Sequence, residues 1–293
     1  MTAKPETAAC MTEAEEAKAA DIISKATEDI GFTKHKNMTY RTLNEVEYED
    51  LKSRILYEDN HILIVNKKCG EIVQGDKTGD EPISEAYKAF IAQRDAKPGQ
   101  VFVGVPHRLD RPVSGIVLLA KTSKALERLT AMFRDGEIHK TYWALSCADP
   151  SPVEGELTDW MVRNEKQNKS YICKVPGHES IGPVTEDGSK PDFGKAPRPD
   201  AKLARLHYRL AGHSQRYFLI EVQLLTGRHH QIRCQLANIG CVIKGDLKYG
   251  APRSNADGGI CLHSRSVRFI HPVKKTEVVV TAPVPASWPP VSL

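Results

Sequence analysis

The sequence lacks the features of several protein classes. It has no apolar run near the roughly 20 residues that cross a bilayer, and its seven cysteines include no Cys-x-x-Cys pair. These absences argue against a membrane-spanning helix, a disulfide framework and a zinc ribbon. His229, His230 and His263 have no acidic or cysteine partner at ligand spacing, so we expect no metal site. The acidic start has the pattern of neither a secretory signal nor a transit peptide, which favours a cytoplasmic location.

The charge balance favours a polyanionic partner. The 293 residues carry a net charge of +4, but residues 1–30 hold three lysines against seven acidic residues. The remainder therefore has 38 basic against 30 acidic residues. RNA is a partner of matching charge, although proteins that bind no nucleic acid reach the same excess. A hydrophobic content of 40% is enough for an enzyme-sized core, built as one domain or as two lobes.

A carboxylate lies between two arginines just ahead of an apolar run. Asp110 is flanked by Arg108 and Arg111, and residues 113–120 have the pattern of a buried strand. Aspartate is ionised at neutral pH and needs no general base, unlike a serine or cysteine nucleophile. Asp110 can therefore act as a nucleophile that the two arginines hold as an anion. Taken alone, it can equally cap a turn or neutralise those arginines.

The segment around Asp110 resembles the catalytic motif of the RluA-type pseudouridine synthases, because Ser-Gly and an Ile-Val-Leu-Leu strand follow Arg-Leu-Asp-Arg. Downstream, the Lys-x-Tyr-x-Ala strand and the third motif of that family are matched in the expected order. An opening and a closing strand pair are matched at the two ends, so the resemblance spans residues 51–284. The matching segments are Ile55–His61, Ile64–Lys67, Lys140–Leu145, Leu225–Arg233 continued through Gly240, Gly245-Asp246 and Tyr249-Gly250, Leu262-His263 and Phe269–Pro272.

The resemblance implies an α+β fold, the pseudouridine synthase fold, with a bent, mostly antiparallel sheet in two lobes and an RNA-binding cleft. It implies that the chain isomerises uridines of ribosomal or transfer RNA to pseudouridine after the base is flipped into the cleft. Asp110 would attack the nucleotide, at C1′ or at C6 of the base, and the freed uracil would rejoin the ribose through C5. No atom is gained or lost, so we expect no cofactor. The expected partner is RNA, bound by a monomer.

The resemblance also assigns candidate site residues around Asp110. Tyr142 would stack on the uracil, and Arg233 would orient the carboxylate through a charge-assisted hydrogen bond. Without the resemblance, Tyr142 has the pattern of a half-buried strand tyrosine and Arg233 that of an interface ion pair. Leu225 would contact the base edge, with a core leucine as the plain alternative, and Arg108 would fill the gap left by the flipped base. The remaining candidates for RNA contacts are Arg111, Arg228, His229, His230 and Lys244.

Composition divides the chain into three parts. Residues 1–50 form an acidic extension with a predicted helix over Ala14–Ile30, residues 51–284 form the catalytic domain, and residues 285–293 form a Pro-rich tail. Prolines and glycines between 176 and 200 predict a long irregular loop. The other predicted elements are a strand over 113–121, a helix from Thr122 or Ser123 to Gly136, a strand over 141–146, a hairpin of 203–210 and 216–225, and a helix through Ile232, Leu236 and Ile239 that ends at Gly240.

Two other functions are compatible with the same residues. An RNA chaperone would have the cleft without turnover. An RNA N-glycosidase would use the same anion to expel a base before water attacks. Pseudouridine in treated RNA indicates the isomerase, unchanged uridine the chaperone, and an abasic site the glycosidase.

Overall fold

The computed structural model of the protein describes residues 40–96, 99–175, 180–182 and 195–293. Within these ranges no helix is both long and apolar enough to cross a membrane. The helices are α1 (Glu45–Ser53), α2 (Ile83–Arg94), α3 (Ser123–Asp135) and α4 (Gln231–Asn238), with a 3-10 turn at Leu247–Tyr249. The strands are β1 (Ile55–Glu58), β2 (Ile62–Lys67), β3 (Ser114–Ala120), β4 (His139–Ser146), β5 (Glu154–Asn164), β6 (Lys169–Ile172), β7 (Ile181–Gly182), β8 (Lys202–His213), β9 (Phe218–Leu224), β10 (Leu262–Ile270) and β11 (Glu277–Thr281).

The eleven strands of the described ranges form one sheet in the order β1-β2-β3-β10-β4-β9-β8-β5-β6, with β11 paired to β10 and β7 paired to β5. The pair of β3 with β10 is parallel, and it is short: His263 lies opposite Ser114 and Ser264 opposite Gly115. The other pairs are antiparallel. Strand β4 pairs along one edge of β10, so β3 and β11 both pair with the other edge of β10. This mostly antiparallel sheet with few helices is the expected α+β fold.

Strand β3 packs against helices on both of its faces. Val117 and Leu119 belong to a buried cluster that includes residues of α1 and α2. Ile116 and Leu118 belong to a second cluster, with residues of α3, β10 and β11. All seven residues of β3 are buried, which explains why the strand appears in the sequence as a continuous apolar run and not as an alternation. A third cluster, between α4 and strands β4, β5, β8 and β9, supports the other half of the sheet.

Two helices follow their sequence signals. Helix α3 begins after Thr122, whose hydroxyl accepts a hydrogen bond from the Ala125 N–H at 3.1 Å, and it stops at Gly136, which has a left-handed φ of 78°. Helix α4 follows His230 and ends at Asn238, close to the predicted end at Gly240. Candidate site residues lie in β4, which follows α3, and in α4 itself.

Two segments make contacts that their composition does not predict. Of residues 176–200, predicted to be irregular, the structure describes 180–182 and 195–200. Ile181 and Gly182 form β7 and pair with β5, so the prediction is wrong for these two residues. In the Pro-rich tail, Trp288 packs on the cluster that contains Leu145, and Ser292 forms a β-bridge with His213. Burial of apolar side chains therefore holds the tail on the sheet.

The predicted boundary at residue 50 falls inside helix α1. This helix begins with a capping box, in which the Asn44 side chain accepts from the Glu47 N–H at 2.9 Å and the Glu47 carboxylate accepts from the Asn44 N–H at 3.1 Å. Leu43 and Leu51 at its two ends are buried in the first cluster. The helix predicted over Ala14–Ile30 lies outside the described residues.

Candidate active site

A basic cleft lies between the turn before β3, the end of α3 with the start of β4, and the connection from β9 to α4. Its volume is about 720 Å³. Among the described residues that line it, six are arginine or lysine and one, Asp110, is acidic. Such a surface attracts a polyanion. The basic residues are Arg108, Arg134, Lys140, Arg163, Arg228 and Arg233.

Asp110 is held by an arginine from helix α4. Arg233 Nη1 donates to Asp110 Oδ2 at 3.1 Å, while its Nε and Nη2 donate to the two carboxylate oxygens of Asp246 at 2.7 and 2.8 Å. The side chains of Arg233 and Asp246 are 5% and 1% exposed, whereas that of Asp110 is 30% exposed. Burial alone would lower the pKa of Arg233, but the hydrogen bonds and charges of the two aspartates raise it. The guanidinium therefore stays charged and fixes one side of the Asp110 carboxylate.

His230 lies beneath Asp110. Its Nε2 is 3.5 Å from Asp110 Oδ2, and its Nδ1 is 3.1 Å from the Tyr249 hydroxyl. Burial, and after it the charge of Arg233, lowers the pKa of His230 to about 2, so the imidazole is neutral at neutral pH. Its side chain is 5% exposed. His230 lines the cleft while packed against the nucleophile candidate, and its RNA contact stays a prediction.

Tyr142 lines the cleft from the middle of the sheet. Its backbone pairs with Val222 of β9 on one side and with Ser264 of β10 on the other, and the residue is 6% exposed. Burial raises the pKa of Tyr142 to about 12, against the effect of a hydrogen bond with Ser264. The phenol is therefore protonated at neutral pH and presents an aromatic ring to the cleft.

The turn that carries Asp110 rests on a buried lysine. Lys67 is 1% exposed, and its Nζ donates to the carbonyl oxygens of Arg111 and Val113 at 3.1 and 2.6 Å. A third hydrogen bond, of 2.9 Å, reaches the carbonyl oxygen of Lys68. Burial lowers the pKa of Lys67 to about 8. The ammonium fixes the backbone just after Asp110 and so fixes the direction of its side chain.

Five of the predicted RNA contacts line the cleft. Leu225 is 49% exposed there, which excludes the alternative of a core leucine. His229 places its Nδ1 2.9 Å from Ser170 Oγ and stacks on the ring of His230 at a centroid distance of 3.8 Å. Its imidazole is thus oriented by two neighbours. The five residues are Arg108, Leu225, Arg228, His229 and His230.

Arg111 points away from Asp110. Its Nη2 donates to Thr78 Oγ1 at 2.8 Å and forms an ion pair with Asp80. The prediction that the flanking arginines hold the carboxylate is therefore wrong for Arg111, because adjacent side chains of the turn point in different directions. The contact with Asp110 that was expected of Arg111 is made by Arg233, which is distant in sequence.

Lys244 also lies outside the described lining of the cleft. Its Nζ forms a hydrogen bond with Asn255 and is 5.8 Å from the centroid of the Tyr217 ring. The predicted RNA contact at Lys244 thus belongs to a different part of the surface. A backbone contact of Lys244 explains why the residue lies there. The Lys244 N–H donates to the Leu145 carbonyl at 2.8 Å, at the far end of β4.

Sequence reasoning assigned no role to Asp246, Tyr249 or Lys67, although each stands within a matched segment. A signal for Asp246 was present in the preceding glycine. Gly245 has φ 88°, and a Cβ there would lie 2.8 Å from the Gly259 carbonyl oxygen, so the chain passes close to a neighbouring loop at this point. Asp246 is itself 1% exposed, and a buried carboxylate needs a cation as partner, which Arg233 provides.

The structure also bears on metal binding. Among the described residues, no group of three or more histidine, cysteine, aspartate or glutamate side chains is arranged to hold a metal ion. One cleft histidine, His107, is engaged in structure: its Nε2 accepts a hydrogen bond from the Leu118 N–H at 2.9 Å. Burial lowers the pKa of His107 to about 3, and its ring stacks on Phe133 at 4.3 Å.

Residues 61–238 match the family model described as RNA pseudouridylate synthase. A mitochondrial pseudouridylate synthase of Xenopus tropicalis is 30% identical over 270 residues, which cover 83% of this chain and 80% of the relative. A ribosomal large subunit pseudouridine synthase C of Vibrio vulnificus is 30% identical over 250 residues, covering 83% of this chain and 68% of the relative. A ribosomal large subunit pseudouridine synthase D of Zymomonas mobilis is 29% identical over 249 residues, covering 82% and 71%.

Two solved human structures share the fold. Human RNA pseudouridylate synthase domain containing 4 superposes with a TM-score of 0.64 at 22% identity, covering 82% of this chain and 92% of the other. Human RNA pseudouridylate synthase domain containing 1 superposes with a TM-score of 0.57 at 20% identity, covering 81% and 85%. At these identities the likeness establishes the architecture, including the mostly antiparallel sheet.

Proposed function

Since the chain belongs to the RNA pseudouridylate synthase family and is an RNA pseudouridine synthase, we propose that Asp110 is the nucleophile with which it isomerises uridines of ribosomal or transfer RNA. One observation carries the proposal. Among the described residues that line the cleft, six are basic and the acidic one is Asp110. Its carboxylate is partly exposed and is hydrogen-bonded to Arg233.

The contacts of the carboxylate favour one of its oxygens for attack. Both Arg233 Nη1 and His230 Nε2 lie next to Oδ2 of Asp110. His230 is neutral, and its Nδ1 lies 3.1 Å from the Tyr249 hydroxyl, which donates to the Ser170 carbonyl oxygen at 3.1 Å. Its Nε2 is the ring nitrogen that faces the carboxylate. Oδ2 is thus the held oxygen, and Oδ1 is the one that we assign to the reaction.

The residues of the cleft fit the remaining steps. A flipped uracil stacks on Tyr142, and Leu225 contacts its edge. Arg108 occupies the gap in the RNA helix, while Arg228 and His229 contact the backbone. Asp110 Oδ1 forms a bond to C1′ or to C6 of the base, and this bond breaks again before the product is released. The C1′–N1 bond breaks with its electron pair going to the uracil ring, a C1′–C5 bond forms, the C5 proton is lost and N1 gains one. The atoms balance without a cofactor.

Ribosomal RNA is the better supported of the two proposed substrates. Several relatives at 26–30% identity are named ribosomal large subunit pseudouridine synthases C or D. The Xenopus relative is named as a mitochondrial pseudouridylate synthase. Transfer RNA as substrate, a cytoplasmic location and action as a monomer are further parts of the proposal. Pseudouridine maps of cellular RNA with and without the gene identify the substrate.

The direct test replaces the proposed nucleophile. Asp110→Asn is nearly isosteric but removes the anion, so we expect pseudouridine formation to fall below detection while RNA affinity changes by no more than about twofold. Pseudouridine is detected in transcribed ribosomal RNA after carbodiimide labelling and primer extension. Normal turnover by the variant contradicts the assignment. A wild-type protein that leaves uridine unchanged, or leaves abasic sites, indicates the chaperone or the glycosidase instead.

A further inference from the structure

A second groove adjoins the catalytic cleft. It lies between the β5–β6 hairpin and residues 195–200 and has a volume of about 810 Å³. Arg163, near the end of β5, lines both the groove and the cleft. The two spaces therefore meet at this side chain. An RNA strand that passes over Arg163 on leaving the cleft reaches the groove next.

The floor of the groove contains an exposed aromatic ring. Tyr171 of β6 is 38% exposed and lies across the hairpin from Val162. Its hydroxyl is hydrogen-bonded to Gln167, and Lys169 Nζ is 5.2 Å from the centre of its ring. These contacts fix the ring before any ligand arrives. A fixed aromatic surface of this kind is what an unpaired base stacks on.

The rim of the groove is basic. Four of its lining residues are lysine or arginine and two are acidic. One of the acids, Asp200, is paired with Arg198 at 2.9 Å. Lys166 and Lys174 are exposed on the rim. Positive groups around an aromatic floor match a nucleotide, which combines a flat base with a phosphate at each side.

We propose that this groove binds an unpaired nucleotide of the substrate RNA that flanks the target uridine, with its base on Tyr171 and its phosphates next to Lys166 and Lys174. The inference rests on the function above only in taking RNA as the substrate. A base in a duplex has both faces covered by its neighbours, so the aromatic floor selects an unpaired nucleotide. The groove thus favours uridines next to a loop or a bulge.

The test uses the full chain and a fluorescein-labelled single-stranded RNA of about 12 nucleotides. Anisotropy titrations run from about 50 to 200 mM KCl. Lys166→Ala with Lys174→Ala is expected to weaken binding and to reduce the slope of log Kd against log salt by about 1.4, or about 0.7 for each lost phosphate contact. Tyr171→Ala is expected to weaken binding about 5- to 100-fold with an unchanged slope, whereas Tyr171→Phe keeps the ring and the affinity.

The matched control is Lys124→Ala, an exposed lysine of α3 that lines neither space, and it should leave both affinity and slope unchanged. Wild-type affinity for Tyr171→Ala overturns the inference. So does an equal loss for an RNA duplex of the same length. Either result leaves the function intact if Asp110→Asn is inactive, whereas a wild-type chain that forms no pseudouridine refutes the function itself.

Discussion

The contact between Arg233 and Asp110 gives the sharpest test of the site, through the variant Arg233→Lys. The arginine uses its guanidinium to hold two carboxylates at once, with two hydrogen bonds of 2.7 and 2.8 Å to Asp246 and one of 3.1 Å to Asp110. A lysine keeps the positive charge but has a single ammonium group. Because Asp246 is 1% exposed, the ammonium stays with Asp246, and Asp110 loses its donor.

The magnitude follows from the lost hydrogen bond. A hydrogen bond to a charged group contributes about 1.5–3 kcal/mol, so kcat is expected to fall about 10- to 150-fold. RNA affinity should change little, because Arg233 is 5% exposed and is covered by its partners. The reaction removes the hydrogen from C5 of the uracil, so release of tritium from RNA labelled at C5 measures kcat at saturating substrate.

Two further measurements separate this effect from misfolding and from weaker binding. A thermal melt within a few degrees of wild type shows that the buried charge is still compensated. Arg228→Lys is the matched control, since Arg228 lines the same cleft but is exposed, and it should alter KM more than kcat. A folded Arg233→Lys enzyme with wild-type kcat refutes the argument that this arginine positions the nucleophile.

Three other outcomes are expected. His230→Gly removes the imidazole at a position with φ 54° that glycine adopts without backbone strain. Loss of the contact with Asp110 should lower kcat about tenfold, and the cavity left by the buried ring should lower the free energy of unfolding. An unchanged kcat contradicts contact with Asp110. Lys67→Met leaves buried carbonyls without a donor, at about 1–3 kcal/mol for each, so the urea midpoint should fall; an unchanged midpoint shows that Lys67 does not hold the turn. Burial lowers the pKa of His263 to about 4, below its value of about 6.5 when unfolded. Between these pH values the unfolded chain binds more protons than the folded one, so the free energy of unfolding should fall as pH is lowered from about 6.5 to 4. The fall should be smaller in His263→Gln. Equal pH profiles of the two proteins contradict a buried neutral histidine.

The sequence predicted the elements whose signals are local. Helix α3 has its cap at Thr122 and its stop at Gly136, both of which act within one turn of the chain. Strand β3 is visible as an apolar run because both of its faces are buried. The prediction of an irregular segment over 176–200 missed β7, since a two-residue strand is defined by its partner β5 and not by its own composition.

The site divides in the same way. Asp110 is recognisable from its motif, but the cation that holds it is not its neighbour Arg111, which pairs with Asp80. The holding cation is Arg233, 123 positions away in sequence. His230 has the appearance of a surface contact in the sequence and is buried in the structure. These outcomes depend on which way each side chain points, and residue type does not fix that direction.

The sequence by itself determined the family, the candidate nucleophile and the elements with local signals, because the chemistry of an ionised aspartate and the signals of caps and apolar runs depend on residue type and short spacing. Only the tertiary structure decided the partners. Packing of α4 against the sheet brings Arg233, Asp246 and Asp110 together. The Lys67 ammonium fixes the turn from below. Such contacts join residues far apart in the chain. Burial decides which of the possible charge pairs forms, because a charge removed from water needs a partner inside the protein.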